Sequence, residues 1–150
     1  MTLAIQPLKP MQIEEAKAVI TEGCFEFFGK TPADFEDMTD ISTRYAAPAG
    51  TFLVLMDGDR VVGTGAVRRL DAETCELKRM WFLPAYRGRG LGTQMAERLF
   101  KFARAAGYKR IRLDTDPELK AANKLYQRLG FYFIERYHEG HGTIFMEMVL

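Results

Sequence analysis

Apolar residues recur along this chain with two different periods, and the change of period divides it into segments. From Thr2 to Leu8 apolar and polar positions alternate weakly and run into Pro7 and Pro10, which predicts an opening strand. From about Met11 to Phe28, the residues Ile13, Ala16, Val19 and Ile20 fall at helical spacing. A second, short helix is expected between Pro32 and Tyr45, on a poorer pattern. The character then changes. Thr51 to Met56 and Val61 to Leu70 are β-type apolar runs joined through Asp57-Gly58-Asp59, and Asp-Gly marks a tight hairpin because glycine tolerates positive φ. Gly63 and Gly65 strip bulk from the second run, so something is expected to approach closely there. Cys75 to Leu83 reads as a third strand stopped by Pro84, and the short connections make these three strands antiparallel.

The second half alternates strand and helix. A helix from about Gly90 to Ala106 carries Leu91, Met95, Leu99, Phe102 and Ala106 as an apolar stripe, with Gly107 as its stop. Lys109 to Thr115 reads as a strand. Asp116-Pro117 then supplies an N-cap and a proline at the first helical position, followed by Leu119, Ala122, Leu125, Tyr126 and Leu129 up to Gly130. Two strands, about Phe131 to Tyr137 and Thr143 to Leu150, flank a Gly-His loop. With no repeat, linker or low-complexity tract, residues 1–150 read as one mixed α+β domain.

Composition narrows the function classes. A net charge of +1 argues against a dedicated nucleic-acid binder. The basic residues instead cluster locally, in Lys78, Arg79, Arg87 and Arg89 and again in Arg104, Lys109, Arg110 and Arg112, a pattern suited to one polyanionic ligand. Cys24 and Cys75 offer neither metal spacing nor a disulfide framework and read as buried free thiols of a reducing compartment. No apolar run has the length of a membrane span and no signal-peptide pattern opens the chain, so a cytoplasmic protein without membrane or metal is expected.

The most informative stretch runs from Met80 to Thr93: a strand, a break at Pro84, a loop of glycines and arginines, and a helix. Glycines at a helix start let backbone N–H groups approach an anion, and the helix dipole favours negative charge there. Arg87 and Arg89 add donors for phosphate oxygens. The physical expectation is a pyrophosphate cradle; the bland alternative is a basic connection with no ligand. A P-loop is excluded by the missing Gly-Lys-Ser/Thr. A dinucleotide fingerprint gains from Asp114 downstream, but Gly88, Gly90 and Gly92 are spaced by two and the preceding strands are antiparallel. An RNA contact lacks an aromatic stacking platform.

Arg87-Gly-Arg-Gly90-Leu-Gly92 resembles the pyrophosphate motif of the GNAT N-acetyltransferase superfamily, Gln/Arg-x-x-Gly-x-Gly/Ala. Cys75 to Phe82 resembles that family's fourth strand, and Asn123-Lys-Leu-Tyr126-Gln-Arg-Leu-Gly-Phe131 its second motif. The resemblance covers about Phe52 to the C-terminus. It implies the acyl-CoA N-acyltransferase fold, a mixed, mostly antiparallel sheet flanked by helices on both faces, whose fourth and fifth strands splay apart. It also implies acetyl-CoA as cosubstrate: the backbone near Met80, Trp81 and Phe82 on the pantetheine arm, Arg87, Gly88, Arg89, Gly90, Leu91, Gly92 and Thr93 at the pyrophosphate, and Asn123 on the cofactor from the next helix.

Aminolysis of a thioester needs a neutral amine, a stabilised oxyanion and a proton for the leaving thiolate. By resemblance Tyr126 supplies that proton, against the alternative of a core tyrosine beside Ala122 and Leu129. By the same resemblance Glu76, six residues before Phe82 where histone-type members of the family carry a catalytic glutamate, is the expected base, with a strand-face salt bridge to its basic neighbours as the alternative. His138 and His141 are of the residue type suited to proton transfer but sit in a Gly-rich loop. Phe28, Arg44, Tyr45 and Tyr137 are the candidates for acceptor contacts, an arginine there favouring a carboxylate. The expected reaction is direct transfer of an acetyl group to the primary amine of a small molecule or amino-acid-like acceptor in a ternary complex, since no Cys or Ser is set up as a nucleophile. A protein or peptide acceptor and a non-catalytic acyl-CoA sensor are the rival readings. A homodimer through the C-terminal strands or the helices is compatible with the sequence.

Overall fold

Strand β2 (Thr51–Asp57) is buried along almost its whole length, because both faces of the sheet are covered. Phe52, Val54 and Met56 point into a core shared with Ala16, Val19 and Ile20 of helix α1 (Ile13–Phe28). Leu53 and Leu55 point the other way, into a core with Met95, Ala96 and Leu99 of helix α3 (Leu91–Ala105). The period of two in the strand thus feeds two helices on opposite faces. The computed structural model describes residues 2–32, 38 and 40–150.

The remaining elements are β1 (Leu3–Pro7), helix α2 (Ile41–Arg44), β3 (Arg60–Arg69), β4 (Thr74–Phe82), β5 (Arg110–Thr115), α4 (Lys120–Leu129), β6 (Tyr132–Ile134) and β7 (Ile144–Val149). The sheet order is β1-β2-β3-β4-β5-β7-β6. Every neighbouring pair is antiparallel except β4 with β5. This is the mixed α+β sheet with helices on both faces that the sequence predicts. The β2–β3 hairpin closes on the pair Asp57 and Arg60, leaving Gly58 at φ 60° in a two-residue turn.

Three boundaries differ from expectation. The helix after β5 starts at Lys120, not at Pro117: Asp116 to Leu119 form a separate turn, closed by Leu119 N–H donating to the Asp116 carbonyl. The Asp116 carboxylate is therefore not an N-cap and accepts from Thr143 Oγ1 instead, at 3.2 Å. On α3 the buried stripe turns toward Ala96, Phe100 and Ala103, which leaves Ala106 exposed. Strand β6 is only Tyr132–Ile134, and residues 135–143 make a long irregular connection to β7. Part of the segment expected to hold the second helix lies outside the described residues.

Gly63 and Gly65 are explained by packing. A Cβ on Gly63 would lie 2.6 Å from the Phe82 ring, and one on Gly65 would lie 2.8 Å from Met95 Cγ and 2.9 Å from Met80 Sδ. Cys75 is buried, Cys24 is partly buried, and both are free thiols.

Candidate active site

β4 and β5 begin side by side, with Thr74, Cys75 and Glu76 paired to Arg110, Ile111 and Arg112, and the pairing then stops. Both strands continue past that point, β4 to Phe82 and β5 to Thr115. β4 is turned aside by a bulge: Arg79 and Met80 together face the single residue Gly65 of β3. Arg79 sits at φ 59°, a conformation uncommon outside glycine, and the Thr64 hydroxyl holds it by donating to the Arg79 carbonyl at 2.6 Å. The parted strands leave their facing backbone groups without a ladder partner, which is what a ligand lying between strands requires.

A cavity of about 520 Å³ fills the gap. Leu77 to Trp81 of β4 line one side and Leu113 to Asp116 line the other, with Tyr126 of α4 reaching in. The end of α1 contributes Cys24 and Phe28. Trp81 reaches this wall only because position 23 is glycine: a Cβ there would lie 2.3 Å from the indole Cε3.

Side-chain alternation on β5 sorts the groups around the opening. Ile111 and Leu113 point into the α3-side core, which also contains Tyr126. Arg112 and Asp114 alternate with them and face the opposite side of the sheet. Tyr126 is 7% exposed, and burial, reinforced by the Asp114 charge, pushes its phenol well above the usual tyrosine range. It therefore remains a protonated donor throughout the neutral range. Asp114 accepts from His138 Nε2 at 2.9 Å, and His138 Nδ1 accepts from the Gly140 N–H at 3.0 Å. With Nδ1 accepting from the loop backbone, Nε2 is the nitrogen that donates to Asp114.

Glu76, the expected base, lies elsewhere. Its side chain is fully buried, with Oε1 accepting from Arg68 Nε at 2.9 Å and Oε2 from the Tyr137 hydroxyl at 2.6 Å. The cavity wall includes its neighbours Leu77 and Lys78 but not Glu76. It forms part of a cross-strand row on the polar face: Arg68, Glu76, Arg112, Glu147 and Tyr132 are successive neighbours across β3, β4, β5, β7 and β6. Arg112 Nε donates to Glu147 at 2.8 Å, and Tyr132 donates to the same carboxylate. Opposite charges directly across strands stabilise such a row, so the ion-pair alternative describes how Glu76 is held.

The glycine loop follows β4 directly. Gly88 and Gly90 have φ of 74° and 76°, and a Cβ on either would meet nothing within 4 Å. Those glycines are required by the backbone and open to solvent. Gly90 begins α3, whose first N–H groups, Leu91 to Thr93, have no intrahelical acceptor. Gly92 lies against α4, its Cβ position 3.0 Å from Leu125 Cδ2. Arg89 sits over the Tyr86 ring at 5.5 Å. Arg87 is committed to structure: it pairs with Glu26 of α1 at 2.6 Å and donates from Nε to the Phe82 carbonyl at 2.9 Å. Asn123 bridges Thr115 Oγ1 at 2.7 Å and the Asp116 carbonyl at 2.9 Å, tying α4 to the end of β5.

Of the acceptor candidates, Phe28 lines the cavity. Arg44 is exposed on α2. Tyr45 is buried edge-on against Phe52 in the α1-side core. Tyr137 holds Glu76. Of the histidines, His141 lines the cavity beside Gly142. Asp114 also lines the cavity, a residue that sequence reasoning considered only as a dinucleotide acid. The signal available was its place in the alternation of β5, two residues beyond Arg112.

The profile of the Acetyltransferase (GNAT) family matches residues 18–131. The chain is 37% identical over 110 residues to an uncharacterized N-acetyltransferase, YjgM, of Escherichia coli, covering 71% of this chain and 65% of that protein. It is 38% identical over 97 residues to an N-acetylaspartate synthetase of Danio rerio, covering 63% of this chain and 34% of the synthetase. The chain thus spans less than two-thirds of the length of either relative. In fold it is similar to the PaiA N-acetyltransferase of Thermoplasma acidophilum, solved in complex with coenzyme A, with a TM-score of 0.82 at 17% identity over 100% of both chains. Among the described residues, no helix is long and apolar enough to cross a membrane, and no cluster of three metal-ligating side chains occurs.

Proposed function

The chain belongs to the Acetyltransferase (GNAT) family, and on that premise we propose that it transfers an acetyl group from acetyl-CoA to the primary amine of a small, amino-acid-like acceptor in a ternary complex. The observation that carries this reading is the parting of β4 from β5 beyond Glu76 and Arg112, with a buried, protonated Tyr126 at the resulting cavity.

The residues present fit acetyl-CoA. The open N–H groups of Leu91, Gly92 and Thr93, behind two glycines with no neighbour, suit the pyrophosphate, and Arg89 adds positive charge beside them. The edge of β4 from Met80 to Phe82, which β5 has left, suits the amide groups of the pantetheine arm, as an added strand would. Acetyl-CoA supplies the activated thioester. Tyr126 donates its proton to the departing sulfur, and its burial keeps water from competing for that proton.

The walls of the cavity support the acceptor class. Lys30, Lys78 and Arg79 contribute positive charge, and Asp114, Asp116 and Glu118 contribute negative charge. A cavity with both signs suits a zwitterion, whose ammonium and carboxylate ends seek opposite partners. The amino-acid product in the name of the matched synthetase agrees with this class.

Release of coenzyme A thiol from acetyl-CoA over a panel of amino acids, simple amines and peptides tests the proposal. Amino-acid-dependent release that falls about 10²-fold or more in Tyr126→Phe is expected. A wild-type protein that binds acetyl-CoA but releases thiol with none of these acceptors would overturn it.

A further inference from the structure

We propose that Asp114, rather than Glu76, receives the proton of the attacking amine, and that His138 is its positioning residue; this rests on the acetyltransferase reading. Three observations converge on Asp114.

The first is access. Asp114 lines the cavity at the point where β5 has left β4, whereas Glu76 is fully buried with a donor on each carboxylate oxygen. A carboxylate already holding an arginine and a phenol has little left to offer a proton on the substrate.

The second is side. Tyr126 belongs to the core under α3 and α4, and Asp114 projects from the other face of β5. Base and acid thus stand on opposite faces of the sheet, so that the amine can approach the thioester from one side while the sulfur is protonated from the other. The Asp114 charge still reaches Tyr126, adding to the effect of burial in raising its phenol.

The third is construction. Gly142 stands where a Cβ would lie 2.9 Å from Asp114 Cβ and 3.0 Å from Oδ2, so a larger residue would press on the carboxylate. The same loop returns His138 to donate to Asp114 Oδ2 at 2.9 Å. The imidazole is wedged edge-on between Tyr137 and Phe145, at 4.9 and 5.0 Å between ring centres. One carboxylate oxygen is held and the other is left for the substrate.

The step balances. The neutral amine attacks the thioester carbon, the N–C bond forms, and the nitrogen's surplus proton passes to Asp114 directly or through one water. The C–S bond breaks and the sulfur takes the Tyr126 proton. Exchange with solvent then returns a proton to Tyr126 and removes one from Asp114.

The test compares Asp114→Asn with the wild type from pH 6 to 10, with acetyl-CoA affinity and thermal unfolding measured alongside. Expected is a loss of about 10²-fold or more in kcat/KM for the amine near neutrality. That deficit narrows as pH rises and hydroxide takes the surplus proton in place of Asp114, while acetyl-CoA binding is retained. His138→Ala should lower kcat, and His138→Gln, which can restore an N–H donor, should recover part of it. An Asp114→Asn profile within about twofold of wild type overturns the assignment while leaving the transferase reading intact. The same pH-dependent loss in folded Glu76→Gln would also overturn it. Absence of any amine-dependent turnover in the wild type would instead remove the transferase reading, and this assignment with it.

Discussion

The hydroxyl of Tyr137 donates to the fully buried carboxylate of Glu76 across 61 positions of sequence, at 2.6 Å. The contact joins the irregular segment after β6 to the middle of the sheet. It also turns a residue expected in catalysis into one that holds two elements together. Removing one partner of a buried ionic pair costs about 3–5 kcal/mol, because the other is left without compensation. Glu76→Ala should therefore lose stability near the lower end of that range, since Arg68 is partly exposed. Tyr137→Phe should lose about 1–3 kcal/mol, the cost of leaving a buried acceptor unmade. Urea unfolding of both variants checks the pair.

The contact of Gly23 with Trp81 gives a second expectation. A side chain on Gly23 meets the indole ring at 2.3 Å, against a rigid group with buried neighbours. Gly23→Val should destabilise the fold by about 1–3 kcal/mol, the usual range for overpacking. It should also displace Trp81 from the cavity wall, which its fluorescence reports directly in a protein with one tryptophan.

Gly90 should matter to ligand more than to fold. Its φ of 76° costs about 1–2 kcal/mol for a residue with a side chain, but a Cβ there touches no protein atom. Gly90→Val is expected to raise the KM for acetyl-CoA at least tenfold, because the side chain occupies the space in front of the α3 N-terminus. A KM unchanged in folded protein would place the pyrophosphate elsewhere.

Alkaline stability follows from the buried acids of weak strength. Burial pushes the Cys75 thiol up from 9.0 to about 12, and burial likewise raises Tyr126, Tyr137 and Tyr108. A raised value means that the folded state keeps a proton that the unfolded chain releases. The associated stability is present below about pH 9 and is lost as pH rises, first through Cys75 and then through the tyrosines above about pH 10. Urea midpoints should fall progressively over that window. Cys75→Ala should remove the part of the decline that begins near pH 9.

The two periods of the hydrophobic pattern placed most strands and helices within a residue or two, because each element's own side chains decide which face is buried. Local cues failed where a partner distant in sequence decided the outcome. Asp116 with Pro117 satisfies the local rule for a helix start, yet Asp116 is engaged by Thr143 from the connection that leads into β7, and the helix begins later. The run from Phe131 to Tyr137 has strand composition, but it pairs with β7 only over Tyr132 to Ile134. Arg87 and Asn123 stand in a phosphate-binding pattern while their side chains are engaged with Glu26 and with the end of β5.

By itself the sequence determined the α+β architecture, the antiparallel first half, the glycine loop at the start of α3 and the presence of Tyr126 on the following helix. These depend on period, turn chemistry and spacing, all of which are local properties of the chain. Only the tertiary structure decided which carboxylate faces the gap between β4 and β5. Glu76 and Asp114 are both acids on strands, each two residues from a basic side chain, Lys78 and Arg112 respectively. Their difference comes from where the parallel pairing ends: Glu76 stands at the last paired position, closed in by Arg68 and Tyr137, and Asp114 stands beyond it, where β5 has parted from its neighbour.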